Sequence, residues 1–322
     1  MTRVLPGLDD AFLMVVRDYT AGDPMRIGVL WTNLSLRALQ RKLIQRGFRI
    51  GRAAVAALLR RHHFGRRKAQ KKLSAKRHPQ RNQQFLKIAQ LRRLYENSPN
   101  PIISMDTKKK EFIGNLFRNG HLYTQETIQT LDHDFPTLAS GVVYPHGFYD
   151  LKRNVGHINL GISHDTSRFA CDSIAHYWEK YGRGASPNAT SILLLCDGGG
   201  SNSSRRYIFK YHLEQLADRL QLEIRVAHYP PGCSKHDPIE HRFFPHVTRA
   251  CQGIVFTTIE QAQQAMSETS TTKGLTATVD VLPGNYPTRE KAPKEYKKNM
   301  RIVFDEELPA WNYRAVPTKP GS

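Results

Sequence analysis

Three acidic residues stand where metal-assisted phosphoryl transfer could use them. Asp106 ends the apolar run Ile102-Ile103-Ser104-Met105. Asp197 ends the most strongly apolar run of the chain, Ser191-Ile192-Leu193-Leu194-Leu195-Cys196. Glu240 lies in Asp237-Pro238-Ile239-Glu240, after the turn Pro230-Pro231-Gly232. In open α/β sheets, ligands collect at the carboxyl ends of strands. Three hard oxygen donors with no soft ligand among them suit a pair of Mg²⁺ or Mn²⁺ ions, which activate an attacking oxygen and stabilise a leaving one. Gly198-Gly199-Gly200 after Asp197 lets the backbone turn sharply. It is not a nucleotide-phosphate loop, because no G-x-x-x-x-G-K-[ST] follows. Local chemistry leaves plainer readings open. Asp106 can be a surface acid, Asp197 part of a turn, and Glu240 the N3 residue of a capping box with Asp237 as N-cap and Pro238 at N1.

The elements that would carry these acids follow from periodicity. Strands are expected at Ile102–Asp106, Val142–Tyr149, Val155–Ser163, Ser191–Cys196 and Glu223–Tyr229. In the third, His157 and Asn159 alternate with Ile158 and Leu160. Helices are expected from Thr166 to Tyr181 (Phe169, Ile174, Tyr177, Trp178 and Tyr181 inward), from Asn202 to Leu220 (Ile208, Tyr211, Leu216 and Leu220), and from Asp237 to Ala250. The order β-β-β-α-β-α-β-α is an α/β layout, a mixed sheet flanked by helices of the RNase H-like kind.

A different block precedes it. The chain has 322 residues and a formal charge of +20, from 48 Lys and Arg against 28 Asp and Glu. From Arg26 to Tyr95 there are 20 Lys and Arg and no acid. The 28 basic residues elsewhere equal the 28 acidic ones, so the excess sits in this block. Solvated faces mix signs; a window without acids points to a polyanion, here double-stranded DNA. A solubilising arm or an anionic membrane surface are the other readings, the second lacking an apolar face with interfacial aromatics.

Within the block, Ser35 can cap a helix bearing Leu36, Leu39 and Leu43, with Gly47 at its end. A second helix runs from Arg52 through Val55, Leu58 and Leu59 to His62. Helix, short glycine turn and basic helix make a helix-turn-helix, all-α DNA-binding pattern, though an ordinary helical hairpin reads the same. Arg52, at the start of the second helix, is the candidate for base contact. Arg37, Arg41, Lys42, Arg60, Arg61, Arg66 and Arg67 are candidates for DNA phosphates. Gly65–Arg81 reads as a DNA-tracking linker, and Asn82–Tyr95 as a helix with Phe85, Ile88, Leu91 and Leu94 on one face. The expected organisation is a helix-turn-helix domain at 1–64, a basic linker and helix at 65–98, the catalytic domain at 99–282 and an extended arm at 283–322.

Other classes drop out. No run approaches the roughly 18 apolar residues of a membrane span, and Asp9, Asp10 and Arg17 interrupt any signal-like pattern. Cys171, Cys196, Cys233 and Cys251 are far apart and form no C-x-x-C pair, which argues for reduced thiols in a cytoplasm and against zinc or a disulfide scaffold. His228, His236, His241 and His246 contain no H-E-x-x-H spacing. Asp165 reads as a helix cap before Thr166 rather than a fourth ligand.

Three longer motifs carry a resemblance. They are Asp106-Thr107-Lys108-Lys109-Lys110-Glu111 with Gly114-Asn115, then Cys196-Asp197-Gly198-Gly199-Gly200-Ser201-Asn202, and His228-Tyr229-Pro230-Pro231-Gly232-Cys233-Ser234-Lys235 through Pro238-Ile239-Glu240-His241-Arg242. With His133-Asp134-Phe135, Tyr149-Asp150 and His164-Asp165-Thr166, they resemble the DDE transposases of the Rhodopirellula-type (ISAzo group) insertion-sequence family, from about Gly22 to Tyr286. The resemblance implies an RNase H-like core with Asp106, Asp197 and Glu240 as the catalytic and metal-binding triad, two Mg²⁺ ions (Mn²⁺ substituting) and no organic cofactor. It also implies cleavage and joining of DNA, terminal inverted repeats and target DNA as partners, self-association in the active complex, and a bacterial, nucleoid-associated protein with no membrane or small-molecule partner. Lys108, Lys109, Lys110, His241 and Arg242, beside the acids, are further DNA-contact candidates. Three positions depart from the family pattern: His236 replaces an aromatic, Pro245 replaces a small residue, and Ala250-Cys251-Gln252 lacks a Trp. Pro245 should kink or end its helix. Family members usually carry further N-terminal sequence, so a shortened copy is expected. The alternatives to an active transposase are a decayed or repurposed copy that only binds DNA, and a nuclease that cuts without joining.

Overall fold

A computed structural model describes residues 5–18, 21–22, 30–32, 34–67 and 78–318. The chain divides into two compact units, Met1–Leu73 and Ser74–Ser322.

The first unit contains helices α1 (Leu8–Asp18), α2 (Leu36–Gln45) and α3 (Arg52–Arg61), with two short antiparallel strands, β1 (Ala21–Gly22) and β2 (Leu30–Trp31). Ser35 caps α2 as expected: its Oγ accepts from the Ala38 amide at 3.2 Å. Gly47, at φ +88°, turns the chain so that its own amide and that of Phe48 reach the carbonyls of Ile44 and Leu43, a Schellman-type end that only glycine adopts without strain. Leu39, Leu43, Val55 and Leu58 are buried, while Leu36, expected on the same face, is exposed. The core is completed by Phe12, Val15 and Val16 of α1, a helix absent from the sequence expectation.

The second unit begins with α4 (Arg81–Glu96), followed by β3 (Ile102–Thr107), β4 (Glu111–Ile113), β5 (Gly141–Asp150), β6 (Val155–Gly161), α5 (Ser167–Tyr177), a π-helical turn at Trp178–Gly182, α6 (Arg183–Ala185) and β7 (Ser191–Cys196). Then come α7 (Tyr207–Leu220), β8 (Glu223–His228), α8 (Pro238–Arg242), α9 (Phe244–Ala250), α10 (Ile259–Ser267), β9 (Thr276–Leu282), α11 (Tyr296–Asn299), β10 (Val303–Phe304) and β11 (Asn312–Ala315). One sheet runs β10-β11-β8-β7-β3-β5-β6-β9, with β4 paired to β5. β3, β7 and β8 are mutually parallel, β3-β5-β6 is an antiparallel meander, and β9 joins β6 in parallel. Alternation sorts the side chains. Ile103 and Met105 face the core under α5 and α7, whereas Ile102 meets α4 on the other face. Every residue of β7 is buried, because helices cover both faces of a central parallel strand. Each of its aliphatic side chains contributes about 2 kcal/mol by leaving water.

Two expectations need correcting. The helix at 81–96 is part of this unit rather than of a linker: Gln84 Nε2 donates to the His228 carbonyl at 2.8 Å, and Lys87 pairs with Asp305 at 2.6 Å. Its buried stripe is Gln84, Ile88, Leu91 and Tyr95, with Leu94 exposed. The segment after Pro283 is no extended arm. β11 pairs antiparallel with β8, Asn312 opposite Ala227 and Ala315 opposite Ile224, and buries Tyr313 and Ala315; this covers what would otherwise be an open sheet edge. His157 and Asn159 of β6 are buried together with Ile158 and Leu160, since helices cover that face too. As expected, the helix near Pro245 is broken: α8 and α9 meet at Phe243 (φ −126°, ψ −61°), with Pro245 in the first turn of α9. The part of the expected linker at 68–77 lies outside the described residues.

Candidate active site

Parallel pairing of β3 and β7 sets Met105 opposite Cys196, so Asp106 and Asp197, the next residue of each strand line, emerge side by side. The Asp106 carboxylate accepts from the Thr107 amide at 2.8 Å, and that of Asp197 from the Gly199 amide at 3.1 Å. A Cβ on Gly199 would lie 3.3 Å from the Asp197 carboxylate, and Gly200 takes φ +58°, so the glycines serve the turn that aims Asp197.

Glu240 arrives from α8. The Ser104 hydroxyl, on β3, donates to the Asp237 carboxylate and accepts from the Ile239 amide at 2.9 Å. Asp237 therefore makes no direct side-chain cap to its own helix; the cap is relayed through Ser104, which ties α8 to the strand carrying Asp106. Phe243 and Phe244 seat the α8–α9 corner against two glycines. A Cβ on Gly156 would fall 2.1 Å from the Phe243 ring, and one on Gly147, which pairs with Asp106, 2.6 Å from the Phe244 ring. This close approach brings the Glu240 carboxyl into hydrogen bonding with Asp106.

The cluster is dense in acids. Burial, the neighbouring Asp197 charge, the hydrogen bond to Glu240 and the Asp237 charge push Asp106 up to about 9. Asp237 is buried and held well above the carboxylate range, by burial first; its Oδ2 has no hydrogen-bond partner. Asp165 stands near Asp197, raised chiefly by burial, with Oδ1 buried and unpartnered, while Thr166 does the capping of α5. The ion pairs of Lys87, Lys108, Arg118, Lys180 and Arg301 go to other acids.

A second layer holds the Asp197 backbone. His228 Nδ1 is 2.7 Å from the Asp197 carbonyl, which can only accept, so that nitrogen carries the proton. Nε2 then accepts from the Tyr313 hydroxyl at 2.8 Å. Burial pushes His228 down to about 4, which keeps it neutral. Ser104, Asp237, His228 and Tyr313 were absent from the expected site. Asp237 and His228 lie inside the motifs, but Tyr313 carries no local signal, since it reaches the site only through β11.

The expected DNA contacts divide. His241 and Arg242 are exposed within α8, next to Glu240, and Lys109 and Lys110 are exposed beyond Asp106. Lys108 pairs with Glu111 at 2.6 Å, and Glu111 also holds Arg118, so Lys108 serves the β3–β4 turn. In the first unit Arg37, Arg41, Arg52, Arg60, Arg66 and Arg67 are exposed and Lys42 is half-buried; Arg61, also exposed, pairs with Asp9 at 2.7 Å. All four cysteines are free and buried. No helix among the described residues is long and apolar enough to cross a membrane. A cavity of about 350 Å³ lined by Arg168, Asp172, His212, Arg219 and Glu290 lies between α5 and α7, on the sheet face away from Glu240.

A mixed α/β sheet flanked by helices, with acids gathered at adjacent parallel strand ends, defines the structural class. The sequence profile described as the Rhodopirellula transposase DDE domain matches residues 11–317, and the chain belongs to that family. The match extends beyond the motifs at both ends, taking in α1 and β11. No curated protein matches in sequence. Among solved structures, the mariner Mos1 paired end complex with Mg is 13% identical at a TM-score of 0.46, covering 83% of this chain and 73% of that one. A Mos1 paired-end complex with the left transposon end is 12% identical at 0.45, covering 81% and 70%. The Mos1 strand transfer complex is 13% identical at 0.42, covering 81% and 69%. The family assignment rests on the profile.

Proposed function

We propose that this chain is an insertion-sequence transposase that cuts DNA at the element's ends and joins them to target DNA, using Asp106, Asp197 and Glu240 to hold divalent metal ions. The observation that carries this is the gathering of acids at the strand ends: burial first, then the Asp197 charge, the contact with Glu240 and the charge of the buried Asp237 lift Asp106 to about 9. Carboxylates gathered this closely fit hard, oxygen-preferring ions. The donor set is all oxygen, which suits Mg²⁺ or Mn²⁺ over zinc. When bound, such ions supply a Lewis acid for the attacking and leaving oxygens of phosphoryl transfer.

The residues of the chain divide the remaining work. Asp106 and Asp197, fixed at neighbouring strand ends, present oxygens from the sheet, and Glu240 closes the site from α8. Ser104 and Asp237 fix the register of that helix. His228 and Tyr313 hold the Asp197 carbonyl. Lys109, Lys110, His241 and Arg242 offer exposed cations and donors for the DNA backbone around the acids. The sheet segment β6-β5-β3-β7-β8, antiparallel and then parallel, supports an RNase H-like reading of the core. The α2–turn–α3 pair supports a helix-turn-helix that grips the terminal repeats, with Arg52 at its base-reading end. Phe117, Leu122, Tyr123, Ile128 and Phe135, all exposed in the β4–β5 connection, supply an apolar surface for self-association in the working complex.

Pro245 speaks for catalysis over a DNA-binding relic, because the helix break it causes falls after Glu240 and leaves that residue against Asp106. The test is Mg²⁺- and Mn²⁺-dependent cleavage of DNA carrying the gene's own flanks, with Asp197→Asn alongside. Nicks at defined ends that vanish in the variant, together with strand-transfer product, are expected. Tight binding without cleavage in either metal would overturn the catalytic reading, and cleavage without joined product would leave a nuclease.

A further inference from the structure

The loop that leaves Asp197 ends in two arginines, Arg205 and Arg206, both exposed just before α7. Their backbone is pinned from beneath. The Arg206 amide donates to the Ser203 carbonyl at 3.1 Å, which closes a turn. Lys210, buried in the first turn of α7, donates from Nζ to the Ser204 carbonyl and lies 4.7 Å from the centre of the Tyr313 ring. Tyr313 in turn meets His228, which holds the Asp197 carbonyl. The turn also folds back on the acid. A Cβ on Gly198, the residue after Asp197, would lie 3.8 Å from Ser204 Oγ, and Arg205 is the next residue along the chain. Lys297 of α11 joins this surface, its Nζ 5.9 Å from the centre of the Tyr207 ring. The Tyr296 hydroxyl seats α11 on α7 by donating to Glu214 at 3.0 Å.

We propose that Arg205, Arg206 and Lys297 form a phosphate-binding surface for the DNA strand that passes over the acids, gripping it on the α7 side of the cleaved bond. This rests on the reading of the acids as a DNA-cutting site and states how the strand is held there. The fit is one of charge. Other arginines on and around α7 are committed to acids: Arg219 to Glu179, Arg301 to Asp218 and Arg314 to Glu223. Arg205 and Arg206 are left to solvent beside a cluster of carboxyls that by itself would repel a phosphate. A guanidinium meets a phosphate with two parallel N–H donors, a geometry that suits a backbone contact. Because the turn is already fixed, little ordering cost falls on binding. The placement also has a partner across the sheet. His241 and Arg242 stand on α8, over the opposite face from α7, so a strand crossing the ends of β3 and β7 meets cations on both sides of the acids.

The test uses the full chain carrying Asp106→Asn and Asp197→Asn, which should bind a duplex of the gene's own flanks without cutting it. Binding is followed by fluorescence anisotropy across a range of salt. Arg205→Ala with Arg206→Ala should flatten the log–log salt slope by about two, at about 0.9 per phosphate contact on duplex DNA, and Lys297→Ala by about one. Arg205→Lys with Arg206→Lys should keep most of the slope, because the charge is retained. A second arm replaces single phosphates around the bond cut by the parent chain with neutral methylphosphonates. Neutral linkages on one side of that bond should weaken binding when the arginines are present and have no effect in the double alanine variant. A slope unchanged in that variant, or equal methylphosphonate sensitivity with and without the arginines, would overturn this surface while the parent's cutting left the acidic site standing. A parent that neither binds nor cuts these ends would overturn both.

Discussion

The acidic cluster makes a prediction about stability that can be read before any DNA is cut. Asp106 is lifted to about 9 in the folded chain, against roughly 3.9 for an unfolded aspartate. Between those values the folded state binds a proton that the unfolded state has released. Folding stability contributed by this group is therefore greatest at low pH and falls as pH rises through the window from about 4 to about 9. Three pH units, from about 5 to about 8, correspond to a ceiling of about 4 kcal/mol at 1.36 kcal/mol per unit. The proton is shared among neighbouring carboxyls, so about half of that is what Asp106→Asn should release. In chelator at about pH 8 the variant should melt roughly 4–8 °C above the parent, given about 2–4 °C per kcal/mol for a unit of this size. The two should converge near pH 5. Saturating Mg²⁺ should then reverse the order, because only the parent gains the binding term, about 2.7 kcal/mol at a hundredfold excess over Kd. Differential scanning fluorimetry across pH, with and without metal, reads all of this. A variant no more stable than the parent at pH 8, or a gap that does not grow with pH, would refute the account of the cluster.

Other outcomes follow from the same geometry. Gly156→Ala drives a methyl into the Phe243 ring and should cost about 1–3 kcal/mol by overpacking, lowering cleavage as well because that ring seats the corner behind Glu240; thermal melts and nicking rates check it. Tyr313→Phe leaves the buried Nε2 of His228 without its donor, a loss of about 1–3 kcal/mol measurable by urea unfolding. Binding of terminal-repeat DNA should weaken linearly in log salt concentration; Arg41→Ala should reduce that slope by about one, while Arg52→Ala should relax base discrimination by about 1–3 kcal/mol at one position.

What the sequence disclosed follows from the range of the forces involved. Ser35, Gly47 and Pro245 act on their own turns, so cap, helix end and helix break were legible from a few residues. The strand ends bearing Asp106 and Asp197 were legible because apolar runs stop at them. Glu240 was ambiguous locally, and with reason: the backbone of Asp237 and Pro238 does start a helix there, while the Asp237 side chain is taken by Ser104, a partner 133 positions away. The strand at 312–315 was invisible because four residues between Pro309-Ala310-Trp311 and Val316-Pro317 have little periodicity to read. Its identity as a strand comes from the edge of β8 that it covers.

The same reasoning explains why acids and histidines were legible to different degrees. An acid that serves chemistry at a strand end interrupts an apolar pattern and is conspicuous. His157 and Asn159 sit inside a strand as the polar members of an ordinary alternation, which does not by itself say what covers them. They are buried because α5 lies over them, and their partners His176 and Asp280 come from a helix and a strand up to 123 positions further on. Burial of that polar row has to be matched by hydrogen bonds. The Thr278, Ser173 and Asp280 contacts supply the bonds in this structure.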